Sequence, residues 1–532
     1  MAQLRIRLRS VAALVLGLLG LAALATLVVA QGPAEAPAVI VPSRGAAALG
    51  RLGPIGGLGY RAVKARAVAL DVASQEVTVL PWSGHSRPRA RLARLFPGLD
   101  QPQSGNYMPP DTTVAKSPNR VLEATHRAIR LFDPTGQVIH TRSLNGFFGA
   151  SPTEGLLFNP RLYFDRNAAN RRVYAVTVQL DEGAEISRIW LAVSKSPDPV
   201  NLTDGWCRYG IPGTLHPGSP LSSWADFPNM GMGVDKLVIT TNQFTFHDDH
   251  FTFATVRVLN KLALSNNATR CPPLPTPVTF LPARSPGDGS FYTLQPVQHY
   301  TGPSSGPGAA NPVYLLGSQF GASRRYLVWR VRNLAPPALD GPLVLEGAYA
   351  YDAPPEARQP ASSLRLDTGD AHLLQAAGVG DLIAGVHATA CGTAESCVRY
   401  VGFRVSAATG RLTAAIREQE TLGGGAGTYY FNPGLAMNAL GATAVVFNAS
   451  GESMFLSTGA SVKTEGGFGP VVWLNPGSCA YQAVDNPAGR TGDYVGAQTD
   501  PSDMTSFWLA GERATAIGGH CRWQTRVLQV AP

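Results

Sequence analysis

The sequence predicts an all-β fold, and specifically a single β-propeller. From about residue 109 to the end of the chain, short apolar stretches rich in β-branched residues are separated by turns. No long stretch has the i, i+3, i+4, i+7 apolar spacing of an amphipathic helix. A sandwich holds only about 100 residues, whereas a propeller accommodates a much longer strand-turn pattern by adding blades around one axis.

Individual strands and turns support this prediction. Val121–Thr125 and Ala128–Phe132 are typical of two strands, and the sequence Asp-Pro-Thr-Gly at 133–136 is typical of a turn, because proline presets φ and glycine tolerates a positive φ. Arg172–Val178 and Tyr326–Val331 continue the strand pattern further along the chain. At about 40–60 residues per blade, we expect seven blades, with six or eight as alternatives.

The first thirty residues resemble a signal peptide. Arg5, Arg7 and Arg9 precede an apolar run from Val11 to Ala30, which ends in small residues. The alternative is a retained anchor, because the run is close to the roughly 20 residues that span a bilayer. Either outcome places the rest of the chain outside the cytoplasm, either secreted or at the cell surface. We expect a tether and basic extension over residues 31–106 and the propeller over residues 107–532.

The net charge of +8 does not indicate nucleic-acid binding, because the excess is confined to one end of the chain. The first 100 residues contain 12 Lys and Arg against 4 Asp and Glu, and the remainder contains 32 of each. A basic stretch, Ser86–Arg94, is predicted to be a solvated loop, with contact to an anionic surface as the alternative. The main body is therefore neutral, and we expect membrane contact only through a retained N-terminal segment.

The six cysteines indicate disulfide bonds, because an even number in an exported chain usually forms pairs. Cys391 and Cys397 flank five residues and are predicted to close one hairpin loop. The other four are predicted to pair as Cys207–Cys271 and Cys479–Cys521, although fifteen pairings of six cysteines are possible in principle.

Several short stretches resemble a largely uncharacterised family of secreted bacterial β-propeller proteins, distantly similar to sialidase-like propellers. The matching pieces include Phe158–Asp165, Asp226–Gly231, Leu366–Ala371 and Arg490–Gly496. The resemblance implies a propeller outside the cytoplasm and little about activity, because propellers have many functions. The chain departs from the family where Asn159 replaces an expected aspartate, and it lacks the Asp boxes of true sialidases.

The acidic residues beside glycine or proline are the first candidate site. Asp367 and Asp370 flank Gly369, Arg490 and Asp493 flank Gly492 before Tyr494, and Asp226 precedes Pro228. If these turns meet at the mouth of the propeller, they suit Ca²⁺ or a sugar, and aspartate pairs also serve glycosidases. The alternative is structural: an aspartate in a turn commonly accepts hydrogen bonds from its own backbone, and Arg490–Asp493 is then an ion pair between blades.

Two further groups are weaker candidates. His247, Asp248, Asp249 and His250 resemble a metal motif, but their flanking apolar residues favour the tip of a hairpin. His299, Tyr430 and Arg358 suit a polysaccharide lyase, in which Tyr or His takes the proton and Arg neutralises a uronate. Aromatic packing between blades is the alternative for these residues.

The sequence favours a non-enzymatic exported propeller that binds a glycan or a protein. It has no nucleophile elbow, zincin motif, P-loop or dinucleotide-binding fingerprint. The alternative is a carbohydrate-active enzyme, either a hydrolase that uses Asp226, Asp370 and Asp493 or a lyase that uses His299 or Tyr430. The sequence leaves open which of these two functions the chain has.

Overall fold

The structure is a computed structural model that describes residues 90–166, 171–265, 270–281, 292–299, 312–319, 321–392, 394–406, 410–482 and 489–532. It is an all-β, seven-bladed propeller, as the sequence predicts. The predicted signal peptide and the start of the tether lie outside the described residues. No helix among the described residues is long and apolar enough to cross a membrane.

The first described strand closes the ring. Arg91–Asp100 (β1) is the outer strand of the last blade and pairs antiparallel with that blade's C-terminal strand. The propeller therefore begins earlier than residue 107, where the sequence placed its boundary, and residues 91–94 are strand rather than loop. Local pattern missed this strand because its first residues are exposed on an outer edge and its partner lies more than 400 residues away.

The first three blades each contain four antiparallel strands, given from the centre outward. Blade 1 consists of Thr113–Ser117 (β2), Arg120–Ala124 (β3), Ala128–Phe132 (β4) and Val138–Ser143 (β5), followed by the helix Leu144–Phe148 (α1). Blade 2 consists of Leu156–Asp165 (β6), Arg172–Asp181 (β7), Ile186–Ser194 (β8) and Trp206–Pro212 (β9). Blade 3 consists of Ser223–Met232 (β10), Lys236–Thr245 (β11), Phe251–Asn260 (β12) and Val278–Phe280 (β13), with the helix Lys261–Ser265 (α2) after β12. Short 3-10 helices span Pro102–Ser104 and Pro152–Glu154.

Blades 4 and 5 are connected by a short strand that pairs with the neighbouring blade. Blade 4 begins with Gln295–Pro296 (β14), after which Gln298–His299 (β15) pairs in parallel with blade 5. Blade 4 continues with Val313–Ser318 (β16), Ser323–Arg332 (β17) and Ala338–Tyr351 (β18). A separate hairpin of Ala357–Gln359 (β19) and Ser362–Leu366 (β20) precedes blade 5. Blade 5 consists of Gln375–Val379 (β21), Leu382–Cys391 (β22), Glu395–Ser406 (β23) and Thr413–Leu422 (β24).

The last two blades complete the ring. Blade 6 consists of Thr428–Met437 (β25), Thr443–Gly451 (β26), Met454–Thr464 (β27) and, both paired with β27, Gly467–Phe468 (β28) and Val472–Asn475 (β29). Blade 7 consists of Gly496–Thr499 (β30), Phe507–Ile517 (β31) and His520–Ala531 (β32), and β1 supplies its outer strand.

The hydrophobic core lies between blades rather than at the centre of the molecule. Each pair of neighbouring blades encloses its own buried cluster, for example Leu122, Phe147 and Phe164 between blades 1 and 2. Burial of apolar surface of this kind contributes roughly 25 cal/mol per Å². Stability is therefore distributed around the ring, and the inner strands are free to carry polar groups at the hub.

Three disulfides confirm the predicted pairing. Cys207–Cys271, Cys391–Cys397 and Cys479–Cys521 are all bonded, and the described residues contain no free cysteine. Cys391 ends β22 and lies opposite the start of β23, so this disulfide closes a hairpin, as its spacing predicts. Three disulfides indicate an oxidising, extracytoplasmic environment.

Candidate functional site

The inner strands begin with a repeated backbone irregularity that builds the mouth of the propeller. Asp111, Asn159, Phe227, Thr293 and Asn432, on five different blades, have φ between 48° and 56°. Non-glycine residues rarely adopt this left-handed conformation. In blades 2, 3 and 6 the residue is followed by proline and coincides with a bulge in the register of the inner strand. We call the face of the propeller at which the inner strands begin the upper face.

Below these bulges, hydrogen bonds between inner strands close the hub. The Tyr494 hydroxyl donates to the Pro160 carbonyl at 2.8 Å, linking blades 7 and 2. The Tyr163 hydroxyl donates to the His299 carbonyl at 3.2 Å. The Gln375 amide donates to the Ala497 carbonyl at 3.2 Å, past the intervening blade 6. The polar groups of the upper face therefore lie above a closed, hydrogen-bonded floor.

Five charged residues meet above this floor, and we call them the hub cluster: Asp111, Asp226, Asp493, Arg161 and Arg490. They come from blade 1, blade 3, the approach to blade 7, blade 2 and the approach to blade 7, respectively. The Asp493 amide donates to Asp111 Oδ1 at 2.8 Å. Asp493 also accepts a hydrogen bond from Arg490. The structure therefore brings together three of the residues that the sequence proposes, Asp226, Arg490 and Asp493, and places Asp111 and Arg161 beside them.

Only one of the two carboxylate oxygens of Asp226 accepts hydrogen bonds from the described residues. Its Oδ1 accepts hydrogen bonds from Asn159 Nδ2 at 3.0 Å and from the Phe227 amide at 2.7 Å. Its Oδ2 accepts no hydrogen bond from the described residues, and the side chain is partly exposed at the mouth. Burial raises the pKa of Asp226 to about 7, and the charge of Asp493 acts in the same direction. Asp226 therefore keeps its proton to a higher pH than an exposed aspartate does.

Asp493 is the second partly exposed carboxylate, with a side chain that is 21% exposed. Burial raises the pKa of Asp493 to about 6, although the hydrogen-bonded Arg490 opposes this shift. Burial disfavours the charge of Arg490 itself, but the surrounding carboxylates outweigh burial and raise its pKa. Asp226 therefore keeps its proton to a higher pH than Asp493 does.

Asp111 is fully buried and supplies a fixed negative charge. Its Oδ2 lies 2.7 Å from His126 Nδ1. Burial alone would raise the pKa of Asp111, but His126, Arg490 and the Asp493 amide together lower it. Its charge in turn raises the pKa of both Asp226 and Asp493.

Arg161 is a buried cation without a carboxylate in contact. Its guanidinium lies 3.3 Å from the centre of the Tyr494 ring and 5.1 Å from that of Phe227. Its Nε and Nη2 atoms are buried and have no hydrogen-bond partner among the described residues. Burial lowers the pKa of Arg161, and Tyr494, Asp111 and Asp493 counter this effect. The positive charge of Arg161 therefore offsets part of the negative charge of the cluster without direct contact with a carboxylate.

A fourth carboxyl group, that of Glu512, lies next to the cluster. Glu512 is buried and accepts hydrogen bonds from Thr112 at 2.9 Å and from Asn448. Burial raises the pKa of Glu512 to about 8. Gly492 has φ 138°, and a Cβ there would lie 2.8 Å from Glu512 Oε1, so only glycine lets the backbone pass over this carboxyl group.

The remaining acidic turns have the structural role that the sequence offered as an alternative. Asp367 Oδ1 accepts from the Gly369 amide at 3.1 Å, and Asp370 Oδ1 accepts from the His372 amide at 2.9 Å. Asp370 is buried against the His372 ring, which contacts Phe227 and Tyr292 at the wall of the mouth. Asp367 contributes to the field around Arg490, but Asp370 does not join the hub cluster.

The lyase candidates are not brought together. Tyr430 is buried and stacks on Phe447 with ring centres 4.4 Å apart. His299 is buried at the floor, where burial lowers its pKa to about 4. Arg358 is 46% exposed and pairs with Glu452 on the hairpin side of blade 6. The packing interpretation is thus correct for Tyr430, and the predicted Tyr, His and Arg set does not form one site.

The residues His247, Asp248, Asp249 and His250 lie in the turn between β11 and β12, as the hairpin interpretation predicts. His250 Nε2 lies 3.6 Å from Asp248 Oδ2, and His247 is 62% exposed. Among the described residues, no three His, Cys, Asp or Glu side chains are grouped as a metal site requires.

Comparison with known proteins adds similarity of fold without assigning a family. No family model and no curated protein matches the chain. An α-L-arabinanase from Penicillium chrysogenum, solved with arabinobiose, is 11% identical with a TM-score of 0.35, covering 83% of this chain and 98% of that one. A protein of unknown function from Dyadobacter fermentans is 11% identical with a TM-score of 0.34, covering 84% and 100%. An α-L-arabinofuranosidase from Fusarium graminearum, solved with an iminosugar inhibitor, is 11% identical with a TM-score of 0.35, covering 82% and 97%. Similarities this distant assign no activity to the chain.

Proposed function

We propose that the protein is an exported glycoside hydrolase whose proton donor is Asp226 and whose base is Asp493. Glycosidases use two carboxyl groups that differ in protonation at the working pH. Asp226 and Asp493 meet this requirement, since both are partly exposed at one mouth and both have pKa values raised into the range of about 6 to 7. This pair of carboxyl groups is the observation on which the proposed function depends.

The proposed reaction needs only water and the glycan. Asp226 donates its Oδ2 proton to the oxygen of the glycosidic bond as that bond to the anomeric carbon breaks. Asp493 takes a proton from a water molecule as the water oxygen bonds to the anomeric carbon. The sugar becomes a free reducing end, and the net change is the addition of one water across the bond.

The other residues of the cluster support these roles without reacting. Asp111 stays anionic and stabilises positive charge that develops on the sugar ring in the transition state. Asn159 fixes the Asp226 carboxyl group through Oδ1 and so directs Oδ2 to the mouth. Phe227 and Tyr292 supply apolar ring surface beside the carboxylates, as sugar sites commonly do.

This function reverses the order of the two functions that the sequence predicts. Sequence favoured non-enzymatic binding because it contains no catalytic motif. Carboxyl groups of a glycosidase need no local motif, because they come from strands far apart in the chain. Asp226 and Asp493 are 267 positions apart in the sequence. Their charges interact only because the folded ring brings the two residues together.

The test is turnover of glycans by the purified protein and its isosteric variants. Neutral and acidic polysaccharides are incubated with wild type, Asp226→Asn and Asp493→Asn, and new reducing ends are measured. We expect each variant to lose about 10²- to 10⁴-fold in kcat/KM on whichever glycan is cleaved. Asp381→Asn is the matched control, because Asp381 is half exposed in a surface ion pair with Arg404. Binding of a glycan without any release of reducing ends, or full activity in Asp226→Asn, would overturn the proposed function.

A further inference from the structure

A second concave site lies on the upper face, beside the hub cluster and separate from it. It is a groove with a volume of about 470 Å³. Its walls come from the segment around the 3-10 helix Pro102–Ser104, the turn after β3, the end of β5 and the start of α1. The lining residues are Gln103, Gly105, Tyr107, Arg127, Thr141, Arg142, Ser143 and Asn145. None of these described lining residues is acidic, although two are arginines.

Both arginines lack an anionic partner. Arg127 Nη1 donates to the Leu157 carbonyl at 3.2 Å, and Arg142 Nη1 donates to the Thr203 hydroxyl at 2.9 Å. Neither forms an ion pair with a described residue, and both side chains are partly exposed. A guanidinium presents five donors that match the oxygens of a carboxylate or sulfate, so two unpaired guanidiniums in one groove favour an anion.

The groove also contains neutral groups of the kind that bind sugar hydroxyls. Gln103, Thr141 and Ser143 line it, and the Asn145 Nδ2 atom is buried without a hydrogen-bond partner. A buried amide donor without a partner loses the hydrogen bond it would make to water. A ligand hydroxyl or carboxylate oxygen at this position would restore that bond.

Side-chain contacts connect the wall of the groove to the hub cluster. Arg127 lies 4.1 Å from the centre of the Tyr107 ring. On its other side, Tyr107 lies 5.0 Å from the His126 ring, whose Nδ1 contacts Asp111. The groove therefore lies next to the hub cluster and is separated from it by Tyr107 and His126.

We infer that this groove binds an acidic sugar residue of the glycan chain, at a distance from the bond that is cleaved. The substrate class is then an anionic polysaccharide, which carries uronate or sulfate groups. In the hub cluster Arg490 is already paired with Asp493, whereas the two groove arginines have no anionic partner among the described residues. The acidic residue is therefore read by Arg127 and Arg142, which makes them specificity residues that do not take part in the reaction. This inference rests on the proposed hydrolase for the position of the chain, but the binding of the anion is separable from cleavage.

The test measures binding rather than turnover. A tetrasaccharide of 1,4-linked galacturonic acid and its neutral galactose counterpart are titrated into full-length Asp226→Asn by calorimetry at low and high salt. We expect the acidic tetrasaccharide to bind at least about tenfold more tightly, with the preference lost at high salt because exposed charges are screened. Arg142→Ala should remove the preference, Arg142→Lys should restore part of it, and Arg404→Ala, a surface arginine on blade 5, should leave it unchanged.

Asn145→Asp provides a second variant in case Arg142→Ala does not fold. It keeps the shape of the side chain and places a negative charge in the groove, so the acidic tetrasaccharide should bind more weakly while the neutral one is unaffected. Equal binding of the two tetrasaccharides, or an acidic preference unchanged in both groove variants, would overturn the inference. Competition by inorganic sulfate as strong as that of the acidic tetrasaccharide would overturn the assignment to a sugar.

The two proposals fail in different ways in these experiments. If wild type releases no reducing ends but acidic binding still depends on Arg142, the hydrolase is wrong and the groove stands. If wild type cleaves neutral glycans and groove variants leave kcat/KM unchanged on acidic ones, the groove is wrong and the hydrolase stands.

Discussion

The inner strands of the propeller carry buried charge at both ends, but the two ends are organised differently. On the lower face, where these strands finish, each carboxylate has its own cation: Lys261 lies 2.5 Å from Asp165, and Lys116 lies 3.8 Å from Asp500. On the upper face, three carboxylates of the hub cluster share two arginines, and one of those arginines touches no carboxylate. The lower face therefore pairs its charges, whereas the upper face concentrates like charges at a partly exposed mouth.

The paired charges of the lower face stabilise the fold, whereas the partly exposed carboxyl groups of the upper face are accessible for proton transfer. Asp165 and Lys261 are both at most 2% exposed, and Lys261 also donates to the Gly233 carbonyl at 2.5 Å. Nothing in such a pair is poised to exchange a proton with a ligand. Burial raises the pKa values of Asp226 and Asp493, and strongly perturbed groups in a cleft are typical of functional sites.

The largest effect that we expect from this comparison concerns stability on the lower face. Lys261→Met leaves the buried Asp165 carboxylate without its cation, and breaking a buried pair in this way typically costs about 3–5 kcal/mol. The free energy of unfolding, measured in urea, should fall by about that amount, while kcat of the remaining folded enzyme should stay within about twofold of wild type.

The control for this prediction is an ion pair at the surface. Arg404→Met removes the partner of Asp381, and both side chains are half exposed, so little stability should be lost. If Lys261→Met is as stable as wild type, or if it abolishes turnover while the protein remains folded, the two faces do not divide stability and chemistry as we describe.

The pH dependence of activity tests the upper face. Asp493 must be ionised to act as a base and has a pKa of about 6, and Asp226 must be protonated to act as an acid and has a pKa of about 7. A plot of kcat/KM against pH should therefore be bell-shaped, falling roughly tenfold per unit below about pH 6 and above about pH 7. Because the two groups interact, the flanks report the pair rather than either residue alone.

The free energy of unfolding should also depend on the protonation of Asp226, and this contribution should fall as the pH rises. The unfolded chain releases the Asp226 proton near its ordinary pKa, whereas the folded protein keeps it to about pH 7. The folded state thus binds more protons between about pH 4 and 7, and Asp226 contributes stability at low pH that is lost as the pH rises. Asp226→Asn should flatten this part of the urea midpoint curve, and an unchanged curve would contradict the raised pKa.

Most of the fold could be predicted from the sequence, because its signals are local. Alternation in Arg172–Val178, the turn at 133–136 and the six-residue spacing of Cys391 and Cys397 each report a structure formed within a few residues. The closing strand β1 could not be found this way. Its pairing partner is at the other end of the chain, and Arg91, Leu92 and Arg94 are exposed, so the strand has no buried alternation at its start.

The site was predictable only in part. Asp226 and Asp493 are candidates because Asp226 stands two residues before Pro228 and Asp493 follows Gly492, but the same kind of pattern also selects Asp370, which is buried against His372. A stronger signal was present: proline directly follows Asn159, Phe227 and Asn432, and these three residues share a left-handed backbone and a bulge. Arg161 follows the first of these prolines in the mainly buried strand β6, and its place at the hub is evident only from the structure, where it is buried against Tyr494.

The smallest effect that we expect concerns Arg161. It tests whether the charge of this cation helps to keep the hub carboxylates ionised. Arg161→Met removes a positive charge near Asp493 and Asp111, so both carboxylates become harder to ionise. The acidic flank of the kcat/KM profile should move upward by about half a unit to one unit, because Asp493 then binds its proton more tightly. Arg161→Lys keeps the charge and should leave the flank in place, even if it loses some of the stacking on Tyr494. A loss of activity at every pH with unchanged flanks would show instead that Arg161 acts by contact with the glycan, and the electrostatic balance would then depend on Arg490 alone.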